Sequence, residues 1–251
     1  MSGQNMPEEE NANALSKDEV LSSILSPDQN RSRDEPAIAA NISAQLSHMG
    51  LDTWSISVIR RLRDAIGRIR PERIIEIGGG IGHRSAWIFD LIEQDDWKPI
   101  RYDIVENGAK FGVIIHRLMT RYGAEDWTKI VVGELDSLIA ETNAWSAASK
   151  SGIEVGDSPI QPLADVIIVD AKDSILANQV GQMLPLLKKG GVLFTLEPSV
   201  PAGDIDKNDE KGMARVEGFN SWINLIQSKT ETHHIAFNPL FGGTLVAFLE
   251  K

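Results

Sequence analysis

Two hydrophobic periods alternate along the chain. Between residues 37 and 70, apolar side chains recur at helical spacing. Ile38, Ile42 and Leu46 come first, with Gly50 placed to end the helix; Val58, Ile59, Leu62, Ile66 and Ile69 follow over Ser55–Ile69. Pro71 stops that second helix. Beyond it, short β-branched runs alternate with helical stretches. The strands read Arg73–Ile77, Ile100–Val105, Trp127–Val132, Ala164–Asp170 and Val192–Leu196. Helices are expected near Ala86–Ile92, Lys110–Tyr122, Asp136–Ala148 and Ile175–Leu187. The run from Ala164 to Val169 is almost wholly apolar, as a parallel strand covered on both faces should be. A last helix over Val216–Gln227 precedes strands His233–Phe237 and Thr244–Leu249, joined by a turn at Asn238–Gly243. The pattern predicts an α/β fold. It is a Rossmann-like, doubly wound, mostly parallel seven-stranded sheet with an antiparallel C-terminal strand and helices on both faces.

Composition refines the domain picture. Residues 1–36 are polar and acidic, with Glu8-Glu9-Glu10, and read as a disordered tail carrying one short helix from Lys17 to Leu25. Residues 37–251 read as one domain with N-terminal helices. Residues 149–161 read as a surface insertion, and 197–213 as either a substrate lid or an ordinary loop past a strand end. A net charge of −11 argues against a broad phosphate-tracking surface, so no nucleic-acid partner is expected. Arg60, Arg61, Arg63, Arg68 and Arg70 are the local exception, read as a solvated helix face or a small basic patch. The chain has no cysteine, which rules out disulfides and thiolate metal sites. No stretch approaches the roughly 18 apolar residues of a membrane span, and the N-terminus has no apolar leader. A cytoplasmic protein without a membrane partner is expected.

The candidate chemistry centres on Glu76-Ile77-Gly78-Gly79-Gly80-Ile81-Gly82-His83-Arg84-Ser85, a strand running through a glycine turn into a helix N-terminus. Such a turn lets a ligand approach the main chain, and the helix start offers unpaired N–H groups. A dinucleotide fingerprint would require glycine at position 83, where His83 stands. The acid at the strand end suits a cationic group better than a pyrophosphate. Glu106 and Asn107 end the next strand, at the position where an acid accepts from ribose hydroxyls. Asp170 ends the central apolar strand, at the edge where open α/β sheets bind ligands.

The glycine stretch resembles motif I of the class I S-adenosylmethionine (SAM)-dependent methyltransferases. Within that class, residues 37–251 resemble the catechol/caffeoyl-CoA type O-methyltransferase family. The resemblance rests on four places in order: Glu76-Ile77-Gly78 through Gly82 with Ser85; Val169-Asp170-Ala171; Leu184 through Val192; and Asn238-Pro239-Leu240 with Gly242-Gly243-Thr244. It implies SAM as cofactor, held by Glu76, Gly78, Gly80, Gly82, Ser85, Glu106, Asn107, Gly133, Glu134 and Asp170. It also implies a small-molecule methyl acceptor and a homodimer, with Asp170 and Lys172 as candidate catalytic residues. Metal-dependent members bind a divalent ion such as Mg²⁺ through the strand-end Asp and a later Asp-Asn pair. Here that pair aligns with Glu197-Pro198, and Asp173 stands where the family has lysine, so no metal ligand is assigned. Two other readings stay open. Ile77-Gly78-Gly79-Gly80 and Asp165–Asp170 also resemble spermidine-synthase-type aminopropyltransferases, and a SAM-fold protein that binds without catalysis fits the departures.

Overall fold

The computed structural model describes residues 16–203, 205 and 209–251. One seven-stranded sheet organises them, with strands β1 (Arg73–Ile77), β2 (Arg101–Glu106), β3 (Thr128–Val132), β4 (Ala164–Val169), β5 (Leu187–Leu196), β6 (His233–Leu240) and β7 (Gly243–Glu250). Their spatial order is β3-β2-β1-β4-β5-β7-β6. β7 runs antiparallel to both neighbours and the other six strands run parallel. Strand order reverses between β1 and β4. In such sheets ligands bind at the carboxyl ends of the strands at that point.

Alternation along the strands divides the core. Ile74, Ile104, Val166, Ile168, Val192 and Phe194 face one side, where they pack under helices α1 (Lys17–Ile24), α2 (Ala37–Met49), α3 (Ile56–Ile69), α4 (His83–Gln94) and α5 (Ala109–Arg121). Ile75, Ile77, Ile167, Val169 and Leu193 face the other side, under α6 (Leu135–Lys150), α7 (Asp173–Met183) and α8 (Glu210–Lys229). Trp87, Trp127 and Trp222 are all buried in these layers.

The predicted elements are all present, with shifted ends. α7 stops at Met183, and a single 3₁₀ turn over Leu184–Leu186 carries the chain into β5 at Leu187. Pro185 cannot donate the N–H that would continue the helix. Lys188–Gly191, expected to form the helix end, therefore belongs to the strand. Ile160, within the expected surface insertion, is fully buried, and Gln161 N–H donates to Asp103 at 2.9 Å.

Residues 16–36 differ most from expectation. Ser16 caps α1 in a capping box with Glu19, and Leu21 and Leu25 are buried. Arg31 forks onto Asp95 at 2.7 and 2.6 Å, while Asp28 N–H donates to Asp64 at 2.9 Å. This segment is polar because charged pairs hold it, and their partners lie far away in sequence. The disorder expected for residues 1–15 lies outside the described residues. Residues 197–213, read as a lid or loop, also fall partly outside them. Among the described residues, no helix is long and apolar enough to cross a membrane.

Candidate functional site

The ends of β1, β2 and β4 are tied together just past the strands. Gly78 N–H and Gly79 N–H both donate to Val105 O, at 3.0 and 3.2 Å, and Asp170 N–H donates to Ile77 O at 3.0 Å. The chain crosses so closely here that a Cβ on Gly78 (φ +78°) would collide with the Asp170 carbonyl oxygen. Gly80 (φ +57°) differs, because nothing lies within 4 Å of where its Cβ would be. The turn therefore presents open main chain at Gly80. Gly82 caps α4 with no side-chain cap, leaving the first-turn N–H groups to other partners.

Glu106 clasps this turn. Its Oε2 accepts from Gly80 N–H at 2.7 Å and its Oε1 from Gly108 N–H at 2.9 Å. A carboxylate has about four acceptor positions, so two remain for a ligand's hydroxyls. Asn107 donates to Glu134 Oε2 at 3.3 Å, and Gly133 N–H donates to Glu106 O at 3.2 Å. The strand ends of β2 and β3 thus bring Glu106, Asn107, Gly133 and Glu134 to one rim.

Glu76 and Ser85 lie elsewhere. Both are fully buried beneath the turn. Glu76 accepts from Ser85 Oγ at 2.8 Å, from Arg84 Nε at 3.2 Å and from the Tyr102 hydroxyl. Both are expected beside the ligand; here three donors inside the protein occupy Glu76, and Ser85 Oγ is one of them. Burial raises the Tyr102 pKa well above the usual phenol value, and the Glu76 charge and hydrogen bond raise it further.

Arg84 is not among the residues that the sequence pattern singles out. Its guanidinium is buried, stacks over the Trp54 ring at 4.9 Å, and binds Glu76, Asp170 and the Gly78 carbonyl. Burial alone would favour its neutral form, but the Asp170 and Glu76 charges outweigh that, and its pKa is raised. One signal was legible: a cation in the first turn of a helix sits against the dipole, in a stretch otherwise apolar and glycine-rich.

A cavity of about 260 Å³ opens beside this cluster, lined by Trp54, Asp170, Asp173, Thr195, Glu197 and Gly243 among others. Lys172 is exposed at the N-cap of α7 and does not line it. Among the described residues no group of three or more His, Asp or Glu side chains is placed to hold a metal ion. Asp170 is bound to Arg84 and position 198 is proline, so the residues present do not fit the family's divalent-metal site. His83 is buried, with Nδ1 at 3.0 Å from Thr53 Oγ1 and Nε2 at 2.6 Å from Glu35. It braces the turn from below, and desolvation lowers its pKa despite Glu35.

No protein-family model and no curated protein sequence matches this chain. Its likeness is to solved structures. The O-methyltransferase TomG of Streptomyces achromogenes, in complex with SAM, superposes with a TM-score of 0.64 at 16% identity, covering 94% of this chain and 96% of that one. An O-methyltransferase from Bacillus cereus in complex with SAH (S-adenosylhomocysteine) gives 0.61 at 18% identity over 93% and 97%. The SAH-bound methyltransferase PaMTH1 of Podospora anserina gives 0.59 at 17% identity over 100% of both. The chain has the Rossmann-like fold of these methyltransferases.

Proposed function

We propose that residues 37–251 form a SAM-dependent methyltransferase domain acting on an oxygen of a small molecule. The observation that carries this reading is the Glu106 clasp on the open Gly80 turn, at the switch point of a sheet shared with SAM- and SAH-bound O-methyltransferases. Gly78, Gly80 and Gly82 form the floor of the cofactor cleft. Glu106 and Asn107 receive the ribose, and Gly133 and Glu134 border the base. The cofactor supplies an electrophilic methyl group on a sulfonium. The protein's part is to align an acceptor oxygen behind that methyl and to manage its proton. Asp170 has one carboxylate oxygen on Arg84, which leaves the other to accept from an acceptor hydroxyl in the adjoining cavity. Glu76 fixes Arg84, and Arg84 in turn sets Asp170. The protein is proposed to work in the cytoplasm as a homodimer, without nucleic acid or membrane.

A second reading is favoured by one observation. Arg84 holds both acids and the Gly78 carbonyl, an arrangement that also suits a protein that binds the cofactor without transferring its methyl. The aminopropyltransferase reading loses support, because that family carries an N-terminal β-rich domain and the described N-terminal region is helical. Calorimetry with SAH on wild type and Gly80→Asp tests the cleft: binding by wild type, lost in the variant, is expected. Absence of binding by folded wild type would overturn both readings. Methyl release from SAM with a panel of hydroxylated acceptors then separates enzyme from binder.

A further inference from the structure

A second cavity, of about 450 Å³, lies between the segment 27–33, the first half of α3 and the β6–β7 turn. Its lining includes Arg31, Arg33, Arg60 and Arg61, which stands out on a chain of net charge −11. Two aspartates also line it, but both are engaged. Asp28 is paired with Arg31 at 3.0 Å, and Asp64 with Arg63 at 2.7 Å. Arg31 is further occupied by Asp95. Arg33, Arg60 and Arg61 have no carboxylate within ion-pair distance among the described residues. Arg61 makes one bond, to Leu25 O at 2.6 Å. Phe241 stands beside these cations, 88% exposed, its carbonyl fixed by Ser55 Oγ at 2.7 Å.

Three cations without a paired acid and an exposed ring around one cavity suit a phosphorylated ligand. Arginine forks match phosphate oxygens, and the volume lies in the range of small-molecule sites. We propose that this cavity is a second binding site, taking the phosphate groups of a phosphorylated small molecule. It is separated from the glycine-turn cleft and does not depend on the methyltransferase reading. The β6–β7 turn borders both cavities, with Phe241 lining this one and Gly242 lining the one beside Asp170.

The test is calorimetric titration of the full chain with pyrophosphate and with ADP. Saturable binding of pyrophosphate is expected, weakened about tenfold by Arg60→Gln and by Arg33→Gln, the cost of one charge-assisted hydrogen bond. Arg117→Gln, a cation away from the cavity, should leave it unchanged. Circular dichroism on each variant confirms folding. A phosphate ester with an organic body is indicated if ADP binds more tightly than pyrophosphate and Phe241→Ala removes the difference. Equal affinities unaffected by Phe241→Ala indicate that phosphate alone is recognised. Failure of wild type to bind either probe, or binding that both arginine variants leave intact, overturns the proposal.

Discussion

Arg84, in the first turn of α4, is bonded to Asp170 at the end of β4, 86 positions away. The same guanidinium reaches Glu76 inside β1. One buried cation thus joins two adjacent parallel strands at the point where the sheet changes direction. Replacing it should be costly in an asymmetric way. Arg84→Ala leaves Glu76, with no side-chain exposure, as an uncompensated buried charge, and should destabilise by about 3–5 kcal/mol. Asp170 is 32% exposed, so Asp170→Asn should cost about 1 kcal/mol. Urea denaturation of both variants measures the difference. Equal, small losses would mean that Glu76 is neutralised in another way.

The two neighbouring glycines in the turn should separate strain from collision. Gly78 has a left-handed backbone and no room, since an added Cβ meets the Asp170 carbonyl. Gly80 has a left-handed backbone and open space. Gly80→Ala should therefore cost about 1–2 kcal/mol from backbone strain alone. Gly78→Ala should cost well over that, because β1 and β4 must part to accommodate it. Thermal unfolding of the pair gives the answer, and the order Gly80→Ala worse than Gly78→Ala would contradict the geometry.

What the sequence disclosed follows its range of influence. The seven strands, the glycine turn and the clustering of Glu106, Asn107, Gly133 and Glu134 rest on local periodicity and on strand ends, which pattern alone conveys. Glu76 shows where that stops. An acid at the end of an apolar strand looks the same whether it faces a ligand or a buried arginine. Only the packing of Tyr102 and Ser85 around it decides. His83 behaves similarly: its partner Glu35 lies 48 positions upstream, in a segment whose polarity read as disorder. Polar segments held by long-range ion pairs carry no periodicity, so Arg31 with Asp95 was invisible before folding.

The His83 contact makes stability depend on pH with a definite sign. Burial lowers its pKa below the ordinary 6.5, and Glu35 offsets this only in part. The unfolded chain therefore takes up a proton that the folded chain declines. Stability is full above pH 6.5, falls as the pH drops through that value, and levels off below the folded pKa. His83→Gln should flatten this part of the curve. His233, also lowered by burial, titrates in the same sense but remains in the variant, so the difference isolates His83. Denaturant midpoints at about pH 7.5 and pH 5.5 suffice to test it. An unchanged slope in the variant would show that His83 is not the group responsible.

Glu106 offers the sharpest separation of the ligand's two halves. Its two oxygens accept from Gly80 and Gly108 N–H groups. Glutamine keeps one acceptor and turns the other into a donor facing a donor, so one clasp must open. Glu106 is only 9% exposed, so the fold should lose about 1–3 kcal/mol for the N–H left without an acceptor. Binding should suffer as well, because the remaining acceptor positions are those left for the ribose hydroxyls. Glu106→Gln should weaken SAH and adenosine by the same factor, about tenfold or more, as both carry that sugar. Arg84→Lys should instead weaken SAH and leave adenosine unchanged, because Arg84 lies beneath the turn, away from the Glu106 rim and beside Asp170. Calorimetry with the two ligands on the two variants gives four affinities. Parallel losses in both variants would mean that Arg84 and Glu106 act only through the shape of the glycine turn. The predicted split would assign one to each arm of the cofactor.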